Sequence, residues 1–182
     1  MKIRPATLDD PDGLARVHID TWRAAYRGIV PDAVLDGLSY PARAERWREI
    51  LLRTTGATIT LVAEDAGQVV GFAGAGSMRE GPDGYDGELW ALYVQPEYQG
   101  RGLGRQLTVA AAEWLHAAGY RSMLVLVLAD NPSRHFYERL GGRYVGEASI
   151  NIGGADLREA AYGWDNLAAW LDDEAQRDGS GE

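Results

Sequence analysis

Between a run of β-formers, Leu89 to Val94, and a run of helical periodicity, Leu103 to Ala118, lies Gln99-Gly100-Arg101-Gly102-Leu103-Gly104. Its three glycines lack the Cβ that would stop the chain from taking tight-turn angles or from approaching a ligand closely. A helix that starts directly behind them presents amides with no carbonyl one turn back, together with the positive end of its dipole. Strand, glycine turn and helix, in that order, make a cradle for an anion, phosphate above all. The same order also serves as a plain strand-to-helix turn, so the rest of the chain has to decide between the two.

The chain has 182 residues, 46% of them hydrophobic, which suits one core and one domain, expected over residues 1–175 with a disordered tail over 176–182. With 27 acidic against 18 basic residues the formal charge is −9, which disfavours general attraction to nucleic acid or to an anionic membrane. An anionic ligand must therefore be held locally, and Arg101, Arg105, Arg134, Arg139 and Arg143 all lie in or after the glycine turn. No cysteine is present, so disulfides, a thiol nucleophile and thiolate metal sites are excluded. His18, His116 and His135 are too widely spaced for a helical metal site, and no metal is expected. Met1 to Pro5 is followed by no apolar leader, and no segment has the length of a membrane span, so a cytoplasmic protein is expected.

Ile3 to Ala6 reads as a first strand. Thr7 and Asp10 resemble a capping box for a helix through about Tyr26, whose apolar face carries Leu14, Val17, His18, Thr21, Trp22 and Ala25. Helices are expected over Asp32 to Leu38 and Ala42 to Leu52. Thr58 to Glu64 and Gln68 to Ala75 flank Asp65-Ala66-Gly67 and read as a hairpin. Met78 to Gly87, with Glu80, Gly81, Pro82, Asp83, Gly84 and Asp86, reads as a loop placed to cover a site beside the strand that follows. Met123 to Leu128 is apolar throughout, as a central strand requires. Asn131 caps a helix over Pro132 to Leu140, ended by Gly141-Gly142. Strands over Arg143 to Ile152 and Ala155 to Trp164 turn at Gly153-Gly154, and Asp165 caps a last helix.

The glycine turn behind Leu92-Tyr93-Val94 and the later run Asn131-Pro132-Ser133-Arg134-His135-Phe136-Tyr137-Glu138-Arg139-Leu140-Gly141 resemble two motifs of the GCN5-related N-acetyltransferase (GNAT) family, in the family's order. The resemblance spans nearly the whole chain. It implies an α/β (α+β) fold with one mixed, mostly antiparallel sheet of about seven strands, splayed into a V between strands four and five and flanked by helices. It also implies acetyl-CoA as acyl donor. Gln99, Gly100, Arg101, Gly102, Leu103, Gly104 and Arg105 match the pyrophosphate loop, Leu92, Tyr93 and Val94 the strand whose backbone takes the pantetheine arm, and Asn131 a position that bonds the arm or orders a site water. Gly142 departs from the aromatic that often follows the second motif, which predicts a weakened packing contact there.

Two catalytic roles follow from the chemistry. A lysine-like amine has a pKa of about 10.4, so a base must take its proton before it attacks the thioester. Glu88, at the start of the cofactor strand, is the expected base, with Asp86 as substitute. Tyr137 matches the family's general acid for the departing thiolate, and a backbone amide near Leu92 or Tyr93 is expected to steady the oxyanion. Trp22, Tyr26, Tyr40 and Trp47 bound the expected acceptor region. Trp22 and Trp47 fit a helix core, which leaves Tyr26 and Tyr40 as substrate-binding candidates. An acidic protein suits a cationic amine, small molecules being the expected acceptors. A catalytically silent acyl-CoA-binding module fits the same cradle. A homodimer is expected, with Ala155 to Trp164 as a possible surface.

Overall fold

The computed structural model describes residues 1–53, 56–79 and 81–179, the last two by backbone alone. The chain runs β1 (Lys2–Pro5), α1 (Pro11–Ala25), α2 (Asp32–Asp36), α3 (Tyr40–Leu52), β2 (Thr58–Asp65), β3 (Gln68–Ser77), β4 (Gly87–Val94), a 3-10 turn (Pro96–Tyr98), α4 (Leu103–Ala117), β5 (Met123–Leu128), α5 (Arg134–Arg139), β6 (Arg143–Ile152), β7 (Ala155–Trp164) and α6 (Leu167–Gly179). The strands form one sheet in the order β1-β2-β3-β4-β5-β7-β6. Every neighbouring pair is antiparallel except β4 and β5, which run parallel and pair only through Gly87↔Met123 and Glu88↔Leu124. Beyond Glu88 the two strands part, as the expected V requires.

The expected elements are all present, with shifted ends. Thr7 and Asp10 meet, but the contact closes a turn ahead of α1. The Thr7 amide and hydroxyl donate to the Asp10 carboxylate at 2.7 and 3.1 Å, and Arg4 donates to the same carboxylate at 2.8 and 2.9 Å. Pro11 then opens the helix. α3 begins at Tyr40 rather than Ala42, because Ser39 caps it and accepts from the Ala42 amide. α6 continues through Gly179, past residue 176 where a disordered tail was expected; residues 180–182 and Glu80 lie outside the described residues.

Two layers cover the sheet. On one face the apolar side of α4, Leu103, Leu107, Ala111 and Leu115, packs on Leu61, Ala73, Leu89, Val125 and Tyr162, with Leu167 of α6 at the margin. On the other, Leu14, Val17 and Trp47 from α1 and α3 pack on Val62 and Phe72, and Leu35 of α2 packs with Leu128 and Leu157. Trp47 is a core residue, as its helical spacing suggested.

β4 carries a bulge. Gly74 faces Ala91 while the next residue, Ala75, faces Leu89, so Trp90 is the extra residue. Its indole lies across β3, where a Cβ on Gly74 or Gly76 would come within 2.3 or 2.6 Å of the ring; these two strand glycines make room for it.

Strand β7 is interior, between β5 and β6, so the exposed edge on that side of the sheet is β6. Among the described residues no helix is long and apolar enough to cross a membrane.

Gly142 does not leave a packing contact empty. Trp164 of β7 fills the space, and the Trp164 and Trp170 indoles both donate to the Leu140 carbonyl, at 3.3 and 2.9 Å. A Cβ on Gly142 would sit 2.9 Å from the Trp164 ring and 3.0 Å from the Tyr137 carbonyl. Gly142→Ala should therefore lower stability by about 1–3 kcal/mol through overpacking, read as a drop in thermal midpoint.

Candidate active site

The glycine turn is built as a cradle. Gly100 and Gly102 have φ of +72° and +81°, left-handed angles that explain the residue type, and a Cβ on either would meet nothing within 4 Å. Gly102 is the N-cap of α4 and no side chain caps that helix, so its first amides point outward without an internal acceptor. Gly104 faces the Phe136 ring, 3.4 Å from where its Cβ would be, which ties the cradle to α5.

The side chains around the turn have three different tasks. Gln99 donates to the Val94 carbonyl at 2.9 Å and fastens the turn to the end of β4. Arg101 lies exposed, its guanidinium 5.5 Å from the centre of the Tyr98 ring. Arg105 points away from the cradle to α6, where its Nε donates to Glu174 at 2.5 Å and its NH2 to the Glu174 carbonyl at 3.2 Å. Glu174 is 1% exposed, so Arg105 neutralises a buried carboxylate on the α6 side of the turn.

The V exposes main chain. The Gln95 amide donates to Val70 of β3, and groups alternate along a strand. The N–H and C=O of Tyr93 therefore also face β3, while those of Leu92 and Val94 face the gap. The Val94 carbonyl is taken by Gln99, which leaves the Val94 N–H and both Leu92 groups.

The Tyr93 side chain points to the α1 layer and gathers the polar groups of the site. Its hydroxyl accepts from the Trp22 indole at 3.1 Å, and its ring lies 5.2 Å from His18 and 5.3 Å from Phe72, centre to centre. The Tyr26 hydroxyl interacts with the Tyr93 hydroxyl and the Asn131 side chain. Asn131, 5% exposed, also accepts from the Ser133 amide at 2.9 Å, which sets the turn ahead of α5 but does not cap it, since Ser133 is the N-cap of that helix. Tyr137 is 7% exposed, and its hydroxyl has no hydrogen-bond partner among the described residues. Burial, and then Tyr93, push its pKa above the ordinary phenol value, so the phenol is neutral at physiological pH. Burial lowers His18 to about 3, with the Arg43 charge contributing, which makes that imidazole too weak a base to take a proton from an amine.

Glu88 is 1% exposed and firmly held. It accepts from the Arg79 amide at 3.0 Å, from Arg79 Nε at 3.1 Å and from Arg79 NH2 at 2.6 Å, and the same guanidinium lies 5.2 Å from the Trp90 ring centre. Asp86 is committed to structure. Its carboxylate accepts from the Arg121 and Ser122 amides and the Ser122 hydroxyl; burial alone would raise its pKa, but those bonds hold it below the usual value. It is unsuited to be the substitute base.

A carboxylate that the motifs did not reveal, Glu159 of β7, lies near Glu88, Arg79 and Tyr93. Burial, then the Glu88 charge, raise its pKa, against a smaller opposing effect of Arg79. No hydrogen bond or ion pair engages it among the described residues. It shares a face with Leu157 and Ala161 on a strand that reads as an ordinary amphipathic one, so only the fold brings it near Glu88.

Tyr26 joins the site and Tyr40 does not. Tyr40 is 40% exposed on the first turn of α3, its hydroxyl donating to Asp20 at 2.6 Å and its ring 5.6 Å from the Arg23 guanidinium. The loop before β4 covers the same face. Tyr85 packs over Gly163, donating to Asp165 at 2.5 Å, and Pro82 sits by Gly146.

Residues 20–142 match the model of the acetyltransferase (GNAT) family. The uncharacterized N-acetyltransferase YuaI of Bacillus subtilis is 37% identical over 167 residues, 92% of this chain and 94% of that protein. A similar structure, YncA, a putative acetyltransferase from Salmonella typhimurium with its cofactor acetyl-CoA, is 26% identical with a TM-score of 0.68, covering 92% of this chain and 94% of that one. The PaiA N-acetyltransferase of Thermoplasma acidophilum, in complex with coenzyme A, shares the fold at 20% identity with a TM-score of 0.69, covering 87% of this chain and 96% of that one.

The two roles assigned around the glycine turn separate in a binding experiment. Gly102→Val, at a left-handed position, should weaken coenzyme A binding about tenfold or more in calorimetry. Arg105→Met should change that affinity less than about threefold and instead lower the thermal midpoint, at a cost of about 1–3 kcal/mol for the lost bonds to Glu174.

Proposed function

The chain belongs to the GNAT acetyltransferase family, and on that premise we propose that it transfers an acetyl group from acetyl-CoA to a primary amine by direct attack, the acceptor being a small molecule. The observation that carries this reading is the strand pair that opens beyond Glu88, with unpaired main chain on one side and an uncapped helix start at its end. A diphosphate suits the amides at the start of α4, with Gly100, Gly102 and Gly104 admitting it and Arg101 adjacent. The pantetheine arm fits the gap as a further strand, bonding Leu92 and Val94. The second of two copies would find its open strand at β6, where we place the homodimer contact.

In the proposed mechanism the amine loses its proton to the carboxylates at the mouth of the V. Glu88, the residue that the sequence motifs suggest as base, has both oxygens engaged by Arg79 and supplies standing negative charge. Glu159, with a raised pKa and no bonded partner among the described residues, takes the proton, directly or through a water. The nitrogen attacks the thioester carbon, the Leu92 amide donates to the oxyanion, and on collapse Tyr137 protonates the departing thiolate. Asn131 and Tyr26 hold Tyr93 and the arm in register.

Release of free thiol from acetyl-CoA with a panel of amines tests the reading. A silent acyl-CoA-binding module would bind coenzyme A in calorimetry and release none with any amine. Tyr137→Phe should lower kcat about 10²–10⁴-fold while coenzyme A affinity holds. Because Glu159 must be ionised to accept a proton, kcat/KM should rise with pH through its raised pKa; Glu159→Gln should lower the rate and remove that acidic limb. Glu88→Gln should lower the rate and shift the limb to lower pH, since the Glu88 charge is one cause of the raised value.

A further inference from the structure

Tyr98 closes the 3-10 turn between β4 and the glycine turn, and the main chain there is held on both sides. The Tyr98 amide donates to the Gln95 carbonyl at 2.9 Å, and the Gln99 amide donates to the Pro96 carbonyl at 3.2 Å. The Tyr98 ring packs against the α4-side core. Its hydroxyl donates to the Asp65 carboxylate at 3.2 Å, across 33 residues of sequence. Asp65 ends β2 opposite Gln68, where the two-residue loop Ala66-Gly67 takes left-handed angles and turns the hairpin back. A side chain just ahead of the glycine motif thus ties that motif to the β2–β3 hairpin.

The face of the same ring carries a cation. The Arg101 guanidinium lies over it, 5.5 Å from the ring centre and within cation–π range. Arg101 is exposed and has no hydrogen-bond or ion-pair partner among the described residues, although Asp65 meets the hydroxyl of that ring and Glu97 is the residue before it. Exposed arginines elsewhere differ. Arg27, Arg46 and Arg158 each pair with a carboxylate, at 3.0, 2.9 and 3.1 Å. At Tyr98 the hydroxyl edge takes the carboxylate and the face takes the guanidinium, so one ring stands between the two charges. A guanidinium set on a ring face uses none of its N–H groups on a carboxylate.

We infer that Tyr98 is a positioning residue for the acyl donor: its ring holds the Arg101 guanidinium beside the glycine turn, with the N–H groups left to bond the diphosphate of acetyl-CoA. This rests on the acetyl-transfer reading and adds to it a residue that acts through Arg101. In an acidic chain an unbraced arginine is drawn to the nearest carboxylate, and its long side chain must be ordered when the ligand arrives. A ring that orders it beforehand lowers that cost. It also keeps the positive charge next to the uncapped amides that open α4, where the diphosphate is placed.

Calorimetry of the full chain with coenzyme A, run as a double-mutant cycle, tests the inference. Arg101→Gln should weaken binding about fivefold or more at low ionic strength. Tyr98→Leu should weaken it about threefold or more in the parent chain, but less than about 1.5-fold in the Arg101→Gln background. Tyr98→Phe keeps the ring face and should recover most of the loss seen with Tyr98→Leu. Added salt should erode the affinity of the parent chain more steeply than that of Arg101→Gln or Tyr98→Leu, since both variants lack the positioned charge. Dephospho-coenzyme A, which retains the diphosphate, should show the same losses. Equal Tyr98→Leu losses with and without Arg101, as lost packing alone would give, would overturn the inference. So would an Arg101→Gln chain that binds as the parent does, or losses seen with coenzyme A and absent with the dephospho form. A chain that binds no coenzyme A would instead overturn the acetyl-transfer reading itself, and the inference with it.

Discussion

Asp86 staples two parallel strands together at one end only. Its carboxylate accepts the Arg121 and Ser122 amides and the Ser122 hydroxyl, while the Gly87 amide donates to the Ser122 carbonyl at 3.1 Å. A Cβ on Gly87 would sit 2.8 Å from that carbonyl, so the closeness of the staple depends on glycine. Beyond it the ladder holds for two residue pairs and stops. Antiparallel pairing with β3 keeps β4 in place on its other side, so the opening leaves main-chain groups unpaired without loosening the strand. The cofactor reading, the carboxylates at the mouth of the V and the aromatic residues around Tyr93 all depend on this one-ended attachment.

Much of this was legible because the responsible signals are local. The glycine turn, the Asn131-Pro132 helix start, the Gly153-Gly154 hairpin and the apolar run of β5 each fix their conformation within a few residues, and the order of elements follows. What the chain did not disclose depends on contacts between distant segments. Arg105 lies in the glycine motif but serves Glu174, 69 residues later. Glu88 is read from its strand position as an available carboxylate, whereas Arg79 across the loop has claimed it. Glu159 has no motif around it, and only the placing of β7 beside β5 brings it to the site. Gly142 lies where Trp164 and Trp170 converge on the Leu140 carbonyl, a contact made by segments outside the motif.

Tyr26 and Tyr40 show how far helical periodicity carries such a reading. Both flank the α1–α3 region in sequence, but α1 ends at Ala25 and the next residue turns in toward Tyr93 and Asn131, whereas Tyr40 starts a new helix at its solvent end. An aromatic at the end of a helix has no face assigned by period. Its role is decided by where the chain goes next.

The bulge at Trp90 sets both the face that Tyr93 takes and the main-chain groups that β4 turns to the gap. Leu89 packs in the α4 layer, and strict alternation would send Ala91 and Tyr93 there as well. Instead they lie in the α1 layer, and Leu92 and Val94 take the α4 side, because the extra residue shifts the phase by one. The same shift sets which amides face the gap. Removing one residue at the bulge would turn Tyr93 away from Trp22 and Tyr26 and exchange the main-chain groups that face the gap, so a single irregularity positions the aromatic hub and the backbone donors together.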